Sequence, residues 1–179
     1  MDVLWSPWRY DYIKSGSETH ADNPGGCIFC DILNNPASDE EKFILKRAGF
    51  NFVILNIYPY ISGHMMVVPY EHIADLDQAS KEISNEMMDL TKQCQAALRE
   101  TYRPDGVNLG MNLGEAAGAG VAGHIHMHVL PRWIGDTNFM TTTAETRVLP
   151  EPLDITWAKL RDTLQTDATL QDSRPSNPI

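Results

Sequence analysis

The chain is poor in cysteine, short of basic residues and without any long apolar run, and each shortage narrows what it can be. Three cysteines among 179 residues, two of them in Cys27-Ile28-Phe29-Cys30, are too few for a secreted disulfide framework. A reducing cytoplasm is the expected location. Lys and Arg number 14 against 24 Asp and Glu, a formal net charge of −10. A field of that sign repels polyanions and argues against a nucleic-acid polymer as partner. A small phosphorylated ligand stays compatible, because backbone N–H groups and imidazoles hold a phosphate locally. No apolar stretch approaches the length of a membrane span, and Met1 to Tyr10 lack the basic-then-apolar layout of a signal peptide, so no membrane partner is expected. Internal repeats are absent. With 42% apolar and 21% charged residues, the make-up is that of one soluble globular domain able to bury a real core.

Against that background the histidines stand out. Three of the six fall in His124-Ile125-His126-Met127-His128. Alternation with apolar residues is a strand pattern, so the three imidazoles are predicted to project from one face of a sheet. Neighbouring rings of the set would sit ~7 Å apart at Cα and the outer pair ~13 Å apart. One metal can take His124 with His126, or His126 with His128, but not all three without strong bending. The three positions are therefore expected to do different jobs.

The rest of the chain reads as α+β with an antiparallel sheet. Residues 42–56 suggest two strands around a Gly49 turn, 57–63 a loop, and 64–69 a further strand. Apolar residues recur at helical spacing from Asp75 to about Tyr102, where Pro104-Asp105-Gly106 ends the helix. Val107 to Leu113 and Gly123 to Leu130 suggest two more strands, and Ile155 to Leu164 a short helix. Residues 1–26 read as an N-terminal extension, 27–140 as the domain, and 141–179 as a C-terminal extension whose tail beyond Gln165 frays. Trp5, Trp8 and Tyr10 in the first extension are expected to dock on the body or on a partner subunit.

Between the last two strands runs Gly114-Glu-Ala-Ala-Gly118-Ala-Gly120-Val121-Ala-Gly123. Its small residues let backbone approach a ligand, and its N–H groups can form an anion site beside the imidazoles. A phosphate held there would face His126. A neutral imidazole with one nitrogen bonded to a carbonyl offers the other as a nucleophile toward phosphorus. Separately, Cys27-x-x-Cys30 has half-site spacing for zinc, with His20, His64, His72 and His124 as candidates to complete it. A redox pair is a rival, but such pairs usually open a helix and here Gly25-Gly26 precedes.

His124 to Leu130 resembles the signature of the histidine triad (HIT) superfamily of nucleotide hydrolases and transferases. Leu55-Asn56, Tyr58-Pro59-Tyr60, Gly63-His64, Met66 to Tyr70, Asn112-Leu113-Gly114 and Ala117 to Gly120 extend the likeness. Trp5-Ser-Pro-Trp8-Arg, Pro131-Arg-Trp133, Gly135-Asp136 and Asn138-Phe139 are similar to its branch acting on diadenosine polyphosphates, including the bacterial phosphorylases. The resemblance implies a half-barrel sheet with one long helix and a C-terminal helix. It also implies cleavage of dinucleoside polyphosphates at the α-phosphate through a nucleotidyl-histidine. Phosphorolysis of the same substrates and hydrolysis of nucleoside phosphoramidates are the alternatives. A non-catalytic metal- or nucleotide-binding protein is the reading from another class.

Residue by residue, the resemblance makes His126 the nucleophile, His128 a ligand of phosphate or leaving-group oxygen, and His64 a support. It assigns Asn56 to ribose, Asn112 to the phosphates or leaving group, and Gly118, Gly120 and Val121 to the nucleotide. The base is expected near Leu55, Ile57 and Met66. Zinc-binding relatives imply Cys27, Cys30, His72 and His124 as a closed, structural Zn2+ site, and the family implies a homodimer or dimer of dimers. One departure is plain: the phosphorylases commonly carry a Ser or Thr before the triad, where this chain has Gly120-Val121.

Overall fold

The fold is described by a computed structural model over residues 26–136 and 151–171, with side chains through residue 165. Trp5, Trp8, Tyr10, His20, Asn138 and Phe139 lie outside the described residues. Five strands form one antiparallel sheet: β1 (Ile44–Arg47), β2 (Asn51–Leu55), β3 (Met65–Pro69), β4 (Gly106–Gly110) and β5 (Met127–Arg132), in spatial order β1-β2-β3-β5-β4. Helices α1 (Ile28–Asn34), α2 (Lys81–Tyr102) and α3 (Leu153–Gln171) complete it. The α+β class expected from the sequence is what the chain adopts.

Both faces of the sheet are covered at its centre, so β2 and β3 are buried at every position rather than alternating. Val53, Leu55, Met65, Val67 and Val129 point to a core shared with α2 and α3. Their neighbours Phe52, Ile54, Met66 and Val68 point the other way, against Cys27 and Phe29 at the start of α1. Strand periodicity thus sorts one hydrophobic run into two cores. The first contains Met87, Leu90, Cys94, Ala97 and Leu98 of α2, recurring at helical spacing, with Trp157, Leu160 and Leu164 of α3. Glu86 of α2 holds the β1–β2 turn: its carboxylate accepts the N–H groups of Gly49, Phe50 and Asn51 at 2.9, 2.7 and 2.8 Å.

Several boundaries move from their sequence-based positions. The helix α1 is absent from that reading, and Cys27-x-x-Cys30 opens it: Cys27 is its N-cap and Cys30 lies in its first turn. The objection that this pair opens no helix is therefore overturned. The long helix starts at Lys81 behind Ser80, whose Oγ accepts the Ile83 N–H at 3.2 Å; Leu76–Gln78 is a separate 3-10 turn. β4 ends at Gly110 and β5 starts at Met127. The last helix runs from Leu153 to Gln171, longer at both ends than expected and continuous past Gln165. Among the described residues, no helix is long and apolar enough to cross a membrane.

Candidate active site and metal cluster

The site is built on the α1 face, where β5 and the residues just before it meet β3. Register pairs Met66 with His128 and Met65 with Val129, which turns His128 toward α1 and Val129 toward α2. His124 and His126 precede the strand, yet the alternation persists: Ile125 and Val129 belong to the α2 core, with Met127 packed against it. The ring of His126 meets that of His128 at a centroid separation of 4.7 Å and that of Phe29 at 5.2 Å. All three triad histidines are buried.

Hydrogen bonds set which nitrogen of each ring carries the proton. His126 Nδ1 lies 3.0 Å from the carbonyl of His124. A carbonyl only accepts, so Nδ1 is the donor and Nε2 keeps its lone pair. His124 Nε2 lies 3.0 Å from the Pro69 carbonyl, which leaves His124 Nδ1 as the lone-pair nitrogen. At His64 the order is set from the loop: the Tyr60 N–H donates to His64 Nδ1 at 3.2 Å. His64 Nε2–H then donates to His128 Nδ1 at 2.9 Å. His128 must therefore present Nε2–H as a donor. A nucleophilic nitrogen on His126 and a proton donor on His128 stand side by side.

Burial reinforces these neutral states. It pushes all three triad imidazoles below the ordinary histidine range. For His126 the His124 carbonyl acts in the opposite sense, and for His124 the Pro69 carbonyl does. For His128 burial, with the neighbouring His126 in the same sense, lowers the pKa to about 4.

The free nitrogen of His124 points at the cysteine pair. Its Nδ1 lies 3.2 Å from Cys27 Sγ and 3.8 Å from Cys30 Sγ, and His72 Nδ1 lies 3.4 Å from Cys30 Sγ. The four ligand atoms all fall within 4.8 Å of one another, so these residues could hold a metal ion. Zinc bonds of about 2.3 Å to sulfur and 2.0 Å to nitrogen give tetrahedral edges of about 3.3–3.8 Å, close to these separations. Burial, then the neighbouring Cys27, pushes the Cys30 thiol up to about 11.

The sequence model of the HIT domain matches residues 38–133. Over 151 residues, 84% of this chain and 77% of the relative, the sequence is 36% identical to AP-4-A phosphorylase of Mycobacterium tuberculosis. The chain belongs to the HIT family. A Zn-bound histidine triad family protein from Mycobacterium smegmatis is 30% identical and superposes with a TM-score of 0.65, covering 83% of this chain and 98% of that one. A histidine triad nucleotide-binding protein from Sulfolobus tokodaii, 24% identical with a TM-score of 0.67 over 84% of this chain and all of that one, shares the fold.

Within this HIT fold the remaining predicted site residues fall unevenly. Asn56 follows β2; its Oδ1 accepts the Tyr58 N–H at 2.9 Å and its Nδ2 lies 3.4 Å from His64 Nδ1. Asn112 lies two residues beyond the Gly110–His128 pair, on the side toward His126. In the glycine loop, Gly118 takes a left-handed φ of 86° and gives its N–H to Glu115 O at 2.9 Å, so that N–H is committed to a turn. Among the described residues no acceptor takes the N–H groups of Gly120 and Val121. The expected grouping for the base is divided: Leu55 and Met66 lie on opposite faces of the sheet, whereas Leu55 and Ile57 line one cavity with Pro59, Ser62, Gly63 and His64. On the triad's face Phe29, Ile54 and Met66 belong to one buried cluster, and of these Phe29 meets the His126 ring. Phe29 and Tyr60 were missed as neighbours of the rings. The only signal for Phe29 was the stripe Ile28, Phe29, Ile32, Leu33, too short to show a helical period.

Proposed function

We propose that the protein is a nucleotidyl hydrolase or transferase that cleaves dinucleoside polyphosphates at the α-phosphate. The observation that carries this reading is the tautomer of His126: Nδ1–H is tied to the His124 carbonyl at 3.0 Å, and Nε2 is held unprotonated beside the His128 donor. His126 Nε2 attacks the α-phosphorus, the bond from phosphorus to the bridging oxygen breaks, and the remaining nucleoside polyphosphate leaves. His128 Nε2–H donates to a phosphate or leaving-group oxygen, and the N–H groups of Gly120 and Val121 steady charge on the phosphoryl oxygens. The acceptor oxygen then attacks phosphorus, the P–N bond breaks, and His126 is restored. Asn56 is assigned to the ribose and Asn112 to the phosphate side. Gly118 contributes its turn rather than its N–H.

Cys27, Cys30, His72 and His124 are assigned to a structural zinc ion. Two thiolates offset its charge, and the His124 tautomer already aims a lone pair inward. When bound, the metal pins α1 to the triad segment. Residues 27–140 are taken as the catalytic domain, with α3 packed against it. The chain is taken to work in the cytoplasm as a homodimer or dimer of dimers.

Phosphorolysis is the second reading, favoured by the 36% identity to an AP-4-A phosphorylase and opposed by the missing hydroxyl at Gly120-Val121. Incubation with diadenosine tetraphosphate, with and without phosphate, separates them. AMP plus ATP marks water as acceptor; ADP plus ATP formed only with phosphate marks phosphorolysis. Absence of turnover in both arms would sink the enzymatic reading.

A further inference from the structure

One aromatic ring touches both the metal cluster and the nucleophile. Phe29 is 3% exposed. Its ring meets His124 at 5.3 Å with an interplanar angle of 71°, and His126 at 5.2 Å with 54°. Cys27 and Cys30 flank it in sequence, at the N-cap and in the first turn of α1, so whatever fixes both sulfurs fixes the turn that carries Phe29.

That turn has little other means of holding its place. A helix of seven residues is far below the length at which helices persist unaided. Its position comes from packing of Phe29, Ile32 and Leu33 on the sheet and from the two cysteines at its start.

His126, for its part, is held by one hydrogen bond, Nδ1 to the His124 carbonyl, and by the rings on either hand, Phe29 at 5.2 Å and His128 at 4.7 Å. One hydrogen bond sets a tautomer but leaves the ring free to swing about it. Packing decides where Nε2 points.

We infer that Phe29 is a positioning residue that transmits the order of the Cys27/Cys30/His72/His124 cluster to the His126 ring. Filling the cluster locks the first turn of α1, Phe29 then bears on His126, and Nε2 is held in line for attack. The inference rests on the reading of His126 as nucleophile, but the state of its ring can be observed without turnover.

The test uses the zinc-loaded full chain and Phe29→Ala, with ¹⁵N NMR of the His126 ring, zinc content, and kcat and KM on diadenosine tetraphosphate. Phe29→Ala is expected to keep its zinc and its KM, to lose about tenfold or more in kcat, and to show the His126 Nδ1–H tautomer retained with a shifted, exchange-broadened Nε2 resonance. Removing zinc from the wild type should shift the same resonances. Removing it from Phe29→Ala should add little, because the two changes break one chain of contacts. Phe29→Leu, which keeps the bulk without the ring, serves if the alanine variant does not fold, and is expected to fall between. An unchanged His126 signal, a change in KM alone, loss of zinc from the variant, or independent effects of zinc and Phe29 would each overturn the proposal. Wild-type protein that turns over no dinucleotide would remove the proposed activity, while the NMR arm still decides the coupling.

Discussion

His64 Nε2 lies 2.9 Å from His128 Nδ1, and this contact determines what the last histidine of the triad offers to a ligand. Because the Tyr60 N–H already occupies His64 Nδ1, His64 can only donate through Nε2, and His128 is left with its proton on the outward nitrogen. The order of protons is set from a backbone amide in the β2–β3 loop and relayed through the His64 ring to His128 Nε2.

Removing that relay should cost turnover as well as some stability. His64→Ala frees His128 to adopt either tautomer, so about half of the donor population is lost, and a void is left behind a buried ring. The lost donor population alone lowers kcat about twofold, and the shift of the His128 ring into the void brings the expected fall to about tenfold, with KM changed less. His64→Gln, whose side-chain amide can still donate to His128, should recover part of the loss. Equal activity of wild type and His64→Ala would show that the contact is structural only.

The pH dependence of stability follows from the buried imidazoles. His128 falls from 6.5 to about 4 in the fold, so the neutral form is the folded form. Its contribution is complete above the unfolded value near 6.5 and is lost as pH drops toward 4, because the unfolded chain takes up the proton first. The shift corresponds to on the order of 3 kcal/mol. Urea midpoints should fall steeply from pH 7 to pH 4.5, and less steeply in His128→Asn. A midpoint that rises over that interval would reverse the sign of the argument.

Glu86 offers a test remote from the site. Burial pushes its carboxyl up, but the hydrogen bonds from Asn51, Phe50 and Gly49 outweigh it and the net pKa is lowered. Glu86→Ala leaves three N–H groups of the β1–β2 turn without their acceptor and should cost about 2 kcal/mol. Its urea midpoint should drop with little change in KM, since the turn lies at the far end of β2 from Asn56.

Metal removal provides a fourth. With the Cys30 thiol pushed up to about 11, zinc binding must displace protons from sulfur, so zinc affinity should weaken as pH falls. Cys27→Ser should lower both zinc content and melting temperature. Unchanged zinc in that variant would remove the assignment of the four ligands.

How far all this was legible in the sequence differs by element. The α2 stripe could be read directly because it carries several repeats of the helical period, and the strand at Met65–Pro69 because it is a short unbroken apolar run that Gly63 precedes and Pro69 ends. So could the common face of the three histidines, which rests only on two-residue alternation and survives although two of them precede β5. Helix α1 could not be read: seven residues show no period, and its place comes from packing on the sheet and from Cys–His contacts 42 to 97 residues apart in the chain. The grouping of Met66 with Leu55 failed for a related reason. Leu55 pairs with Met65, not Met66, so the loop between the strands decides which face each residue takes. Which glycine N–H groups are free depended on turns that composition does not fix.

The most direct measurement is a rapid-quench single turnover with diadenosine tetraphosphate, followed by intact mass and peptide mapping under mildly alkaline conditions that preserve a P–N bond. An adenylyl adduct on His126, absent in His126→Ala, is the predicted result. Full turnover with no adduct at any time point, or an adduct on another residue, would contradict the assignment of His126 Nε2 as the nucleophile.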